Sequence, residues 1–156
     1  MIFEILAALI VAAFLIGTAA RANQWAVRRR GLSRMAGEPI RRIERGIDLR
    51  VLVSGNRRYA GLNPKKRNRT RGDLAISDTR VVLTSARGVI LDATLTSSGI
   101  TSARTTGPGR LVIEGALPRT SSGPGAQYRI ETVVEDAEGW TEALRPWVTS
   151  EPTTSC

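Results

Sequence analysis

Histidine is absent from the 156-residue chain, and its one cysteine is the last residue, Cys156. Without imidazole there is no Ser-His-Asp or Cys-His nucleophile, no histidine metal ligand and no side chain that ordinarily titrates near neutral pH. A single thiol excludes an intramolecular disulfide and every multi-cysteine zinc pattern, and the Thr-Thr-Ser-Cys ending puts it at the wrong place for a prenylation box. Large rings are scarce: three Trp, two Tyr and two Phe, with Phe3 and Phe14 both in the first fourteen positions. A soluble core must therefore be aliphatic, with Tyr59, Tyr128, Trp140 and Trp147 as its only large rings.

Acidic residues are missing where basic ones are densest. Lys and Arg number 23 against 14 Asp and Glu, a net charge of +9. Met1 to Ala20 carries only Glu4, Arg21 to Arg50 has nine basic and three acidic residues, and Val51 to Gly72 has seven basic and none acidic. From Asp73 onward seven basic residues face ten acidic ones. The whole positive excess thus lies directly behind an apolar start, which makes it an orientation mark before it is a nucleic-acid signal.

That start is Ile5 to Ala20, sixteen residues without a charge. At about 1.5 Å per residue, twenty-odd helical residues cross a hydrocarbon core of roughly 30 Å, so residues 1–22 are expected to form a single transmembrane helix. Glu4 falls in the first turn, where a carboxylate reaches the interface and meets the positive end of the helix dipole. A cleaved signal peptide competes, because Ala20-Arg21-Ala22 has the small-x-small form of a cleavage site. Signal peptides place basic residues before the apolar core, however, and here Arg21, Arg28, Arg29, Arg30 and Arg34 follow it. The positive-inside rule then puts the N-terminus outside and the rest in the cytoplasm. Trp25, with Arg28, Arg29 and Arg30, reads as a juxtamembrane anchor, and Ala8, Ala12, Leu15 and Ala19 form a small-residue line for contact with another helix.

Residues 23–46 read as a basic juxtamembrane linker interrupted by Gly31, Gly37 and Pro39, with Ile40, Ile43 and Ile47 offering a short amphipathic turn. Residues 47–148 then change to short β-branched runs between turn signals. Seven strands are expected: Asp48–Ser54, Gly72–Ser77, Arg80–Ser85, Gly88–Thr94, Gly99–Thr105, Arg110–Glu114 and Gln127–Val134. Leu49, Val51 and Val53 alternate, as do Leu74 and Ile76. Asp136 can cap a closing helix that Pro146 ends, with Trp140, Leu144 and Trp147 on one face as a plug for a small barrel. Residues 149–156 read as a disordered tail.

Seven short strands followed by one helix resemble the pleckstrin-homology-like (PH-like) superfold. The stretch Gly72-Asp73-Leu74-Ala75-Ile76-Ser77, followed by Arg80 and the apolar strand Val81-Val82-Leu83, is similar to the strand-turn-strand segment of bacterial PH and GRAM-type domains. The resemblance covers about Ile47 to Trp147. It implies a mainly-β split barrel capped by a C-terminal helix and a binding role, here on a single N-terminal membrane anchor, and it identifies no catalytic residues.

The densest candidate site is Arg57-Arg58-Tyr59 followed by Lys65, Lys66, Arg67, Arg69 and Arg71, read as a loop between the first two strands with no acidic partner. In PH-like domains the loop after the first strand often faces phosphorylated headgroups or acidic partners. Three readings stay open: a solvated loop kept basic by the positive-inside effect, contact with anionic lipid or an acidic protein surface, and nucleic acid, which fits least because few aromatics could stack on bases.

Catalysis and cofactors find no support. Asp73, Asp78 and Asp92 suit turns, while Glu135, Asp136 and Glu138 suit a helix start, without metal-ligand spacing. Gly107-Pro108-Gly109 and Gly123-Pro124-Gly125 lack the Lys-Ser/Thr of a phosphate loop. The expectation is a non-enzymatic bacterial inner-membrane protein serving as an accessory or adaptor subunit of a larger integral membrane protein complex, a respiratory or transport assembly being a natural host. The alternatives are an anionic-lipid or ligand-sensing module without a stable protein partner, and an exported domain after cleavage near Ala22.

Overall fold

The computed structural model describes residues 2–55, 62–64, 66–116 and 126–149; the side chains at 2–4, 7, 8, 20, 23, 24, 27, 28 and 30 lie outside that description. Among the described residues the order is α1 (Ile2–Leu32), β1 (Arg42–Ser54), β2 (Arg67–Ile76), β3 (Arg80–Ser85), β4 (Gly88–Thr94), β5 (Ile100–Gly107), β6 (Arg110–Ala116), β7 (Gln127–Val133) and α2 (Ala137–Leu144). Short 3-10 turns follow each helix, at Ser33–Met35 and Arg145–Trp147.

The strands form one antiparallel sheet in the order β4-β3-β2-β1-β7-β6-β5. It curls into a half-barrel that α2 caps, an arrangement compatible with a PH-like fold. The alternation legible in β1 is its inward row: Ile47, Leu49, Val51 and Val53 are buried, while Asp48, Arg50, Leu52 and Ser54 point out. Leu74, Ile76, Leu83, Leu111, Ile113 and Ile130 complete an aliphatic interior. Trp140 and Leu144 are fully buried and Trp147 is nearly so, closing the open end as the face they share in sequence suggests. Asp136 starts α2 by accepting the Gly139 N–H at 2.9 Å through Oδ1, which satisfies one of the donors a helix N-terminus leaves free.

Three boundaries differ from those expected by more than two residues. First, α1 does not stop near Ala22 but runs to Leu32. Gly31, expected to interrupt it, instead lets the helix approach the sheet, since a Cβ there would overlap Thr84 Cγ2 and crowd Val89. Leu32 and Met35 then pack with Ile43, Ala75, Val82 and Val89 in a small second core on the outer side of β2, β3 and β4. Second, β1 begins at Arg42, so Ile43 and Ile47 belong to a strand, with a bulge between Glu44 and Ile47. Gly46 sits in that bulge at φ +68, where an L side chain is strained, and its N–H donates to Asp73 Oδ1 at 2.7 Å. Third, β2 begins at Arg67, so Arg67, Arg69 and Arg71 stand on a strand and not in a loop. Thr149, placed in the tail by the sequence reading, donates its backbone N–H to Ile100 O at 2.8 Å; residues 150–156 lie outside the described residues.

The transmembrane helix expected over residues 1–22 has no such support: among the described residues, no helix is long and apolar enough to cross a membrane.

Candidate functional site

The site begins with a period-two pattern inside the basic run. In Arg67-Asn68-Arg69-Thr70-Arg71 the arginines are exposed, Asn68 is buried and Thr70 half-buried, so pairing with β1 sends all three guanidinium groups to the outer face. Register places Arg69 opposite Arg50, Arg67 opposite Leu52 and Arg71 opposite Asp48. On the other flank of β1, Leu52 pairs with Arg129 and Arg50 with Glu131. The outer face of β1, β2 and β7 thus gathers five arginines around an exposed Leu52.

Their charges are not equally balanced. Arg71 is paired with Asp48 at 2.9 Å, which corrects the expectation that the run has no acidic partner. Arg129 is held by Glu131 at 2.9 Å and Glu114 at 3.0 Å. Among the described residues Arg50, Arg67 and Arg69 have no carboxylate partner. Two shallow hollows lie between these side chains, one of about 280 Å³ lined by Arg50, Leu52, Arg67, Arg129 and Glu131, the other of about 420 Å³ lined by Asp48, Arg50, Arg69 and Arg71 among others.

Asn68 fixes the start of this face. Its Nδ2 donates to Asn63 O and Lys66 O, both at 2.9 Å, and its Oδ1 accepts the Asn63 N–H at 3.0 Å. A buried amide therefore pins Asn63 and Lys66 to the start of β2, and Lys66 stands exposed beside Arg67. Asn68 is not among the expected site residues; its place at the inward phase of the arginine alternation is the signal for it in the sequence. Arg57, Arg58 and Lys65, the other members of the expected cluster, lie outside the described residues.

The expected juxtamembrane and helix-contact residues lie on α1. Trp25 is exposed and the Arg29 guanidinium lies 5.0 Å from its ring centroid. Ala12, Leu15 and Ala19 are exposed, while the side chains of Ala8, Arg28 and Arg30 lie outside the description.

Of the linker expected over residues 23–46, residues 23–32 belong to α1 and 42–46 to β1, and the stretch from Arg34 to Arg42 is strapped to the barrel. Arg34 pairs with Asp92 at 2.6 Å. Arg80 reaches the same carboxylate at 3.1 Å, at an angle too poor for a hydrogen bond, and donates to Arg34 O at 2.6 Å. Glu38 accepts from Ser77 Oγ and, at 2.7 Å, from Thr79 Oγ1. Those two hydroxyls, with the Arg80 charge nearby, hold the Glu38 carboxyl below its usual range. Arg41 pairs with Asp78. Arg42 donates to Asp136 Oδ2 at 2.9 Å while its guanidinium lies 4.9 Å from the Trp140 ring centroid. The Gly139 N–H first, and then Arg42, keep Asp136 below the ordinary aspartate value. Asp78, in the bend between β2 and β3, and Asp92, which stands in β4 and not in a turn as expected, therefore tie α1's exit to the sheet; Asp73 likewise lies in β2.

A hollow of about 440 Å³ between this strap and Trp147 is lined by Arg41, Arg42, Asp78, Leu95 and Pro146 among others. Its two arginines are already paired with Asp78 and Asp136. Among the described residues no group of His, Cys, Asp and Glu could hold a metal ion. Compared with known families and with curated proteins, the chain matches no family model and no curated sequence.

Proposed function

We propose that the chain is a non-enzymatic, single-pass bacterial inner-membrane protein whose PH-like domain serves as an accessory or adaptor subunit of a larger membrane complex. One observation carries this reading. In the first half of α1, the described side chains Ile5, Leu6, Leu9, Ile10, Val11, Phe14, Leu15 and Ile16 are each 56–71% exposed, although the end of the same helix is packed on the barrel. Full burial of each such side chain is worth about 1.5–3 kcal/mol, so this helix gains from an apolar surrounding that its own domain does not supply. Lipid and partner helices are that surrounding, with the Ala8, Ala12, Leu15 and Ala19 line a contact for the latter.

The arginines that follow orient the helix with its N-terminus outside and the domain in the cytoplasm. The strap from Arg34 to Arg42 ties the domain to the end of the helix, which suits a subunit that presents its surface close to its anchor. Two measurements test the reading. Alkaline carbonate washing of membranes should leave the full-length protein in the pellet, and release into the supernatant removes the anchor. Purification in mild detergent should recover it with integral membrane proteins; recovery alone and monomeric removes the subunit role.

A further inference from the structure

We infer that the outer arginine face of β1 and β2 is a headgroup-docking surface, which seats the end of the barrel nearest α1's apolar segment on the phosphates of an anionic bilayer. The inference rests on the anchoring reading and adds which surface meets the membrane and with what chemistry. Direction is the first argument. Gly31 lies against Thr84 and Val89, and Met35 lies with Ala75 and Val82. From Gly31 in the last turn of α1 to Met35 in the 3-10 turn the chain therefore advances along β3 from Thr84 to Val82, away from the β3–β4 hairpin, so traced backward α1 leaves the sheet at that hairpin end. Gly72 pairs with Ser85 there, so Arg71, Arg69 and Arg67 continue toward that same end. Ala20 lies eleven residues before Gly31, about 16 Å of helix. Arg67 lies six residues before Asp73, the partner of Thr84, about 20 Å of strand. The apolar boundary of α1 and the arginine end of β2 thus extend comparable distances past Thr84.

Charge is the second argument. Arg50 and Arg69 face each other directly across the ladder and, with Arg67, lack a carboxylate among the described residues. Like charges directly opposite destabilise a sheet, so the fold gains nothing by keeping them, whereas phosphates between them neutralise both. The third is the exposed Leu52, 39% accessible, set between Arg67 and Arg129. An apolar side chain ringed by cations suits the boundary of headgroup and acyl chain. An acidic protein would match the charge, but it would not account for the alignment with α1.

The test uses the full-length chain with Cys156→Ser and Ser54→Cys, carrying a fluorophore at the exposed position 54 on the same face. It is reconstituted in vesicles of phosphatidylcholine alone or with phosphatidylglycerol, each with headgroup-spin-labelled lipid. Docking predicts strong quenching only with phosphatidylglycerol, reversal by raised salt, and loss in Arg50→Gln/Arg67→Gln/Arg69→Gln, whose docked-to-undocked ratio should fall on the order of a hundredfold at roughly a factor of five per charge removed. Quenching that is equal in both vesicle types, or unchanged in the triple variant, overturns it. Flotation with pure phosphatidylcholine vesicles in high salt reports the anchor separately. Failure there removes the anchoring reading, whereas failure of quenching in a protein that floats removes only the docking surface.

Discussion

Gly31 meets Thr84 so closely that a single methyl group at position 31 would overlap the Thr84 Cγ2. The contact is where α1 meets the sheet, and it turns a helix-breaking residue into a packing residue. Gly31→Ala should gain helix propensity of about 1 kcal/mol yet be net destabilising, because overpacking a fitted contact costs about 1–3 kcal/mol. Removing the obstacle makes the prediction specific. In a Thr84→Ser background, which deletes Cγ2, Gly31→Ala should become neutral or stabilising. Thermal unfolding of the four proteins of this cycle in detergent checks it, and additive effects would place the helix elsewhere.

Asp136 holds the strap's last residue, Arg42, and Glu38 lies in its middle; both carboxyls are held below their ordinary values, Asp136 chiefly by the Gly139 N–H and Glu38 chiefly by Ser77. A depressed folded-state value means the group stabilises fully above the unfolded value and loses that contribution as pH falls through the folded one. The structure should therefore lose stability below about pH 4, the ordinary carboxylate range. Glu38→Gln should flatten the acid limb of a melting-temperature against pH plot while leaving the neutral region less stable. Asp136→Asn should retain more stability than Asp136→Ala, since Asn also accepts at the helix cap.

Asn68 anchors the entry to β2 with one buried amide. Asn68→Leu should cost about 1–3 kcal/mol by leaving the Asn63 and Lys66 backbone groups without that partner. It should also speed proteolysis near residues 63–66 while α2, on the opposite flank of the sheet, keeps its hydrogen-exchange protection. Equal loss of protection in both places would make Asn68 a global core residue.

What the sequence made legible follows from period. Alternating aliphatic residues located the strands of the half-barrel, and Asp136 with Trp140, Leu144 and Trp147 located the capping helix, because those signals are local. The strap was not legible, since Arg34, Arg41 and Arg42 find their carboxylates at Asp92, Asp78 and Asp136 across long stretches of chain. Gly31 misled because a glycine that breaks an exposed helix and one that admits a neighbour look alike until the neighbour is known. The basic run misled differently: its density suggested a loop, while the alternation of Arg67, Arg69 and Arg71 with Asn68 and Thr70 carried the strand signal.

Arg50 and Arg69 offer a prediction in which stability and binding move in opposite directions. They oppose each other across β1 and β2 without a carboxylate among the described residues, an arrangement worth about 0.2–1 kcal/mol of repulsion. Arg69→Gln should therefore raise stability by a few tenths of a kcal/mol at low salt, and the gain should shrink as salt screens the pair. The same substitution should weaken association with phosphatidylglycerol-containing vesicles. Arg71→Gln is the contrast: its charge is matched by Asp48 at 2.9 Å, so its loss should not raise stability and should change association less. Denaturant unfolding at two salt concentrations beside vesicle titration separates the two, and a stabilising Arg71→Gln would mean that bulk net charge, and not the opposed pair, sets the effect.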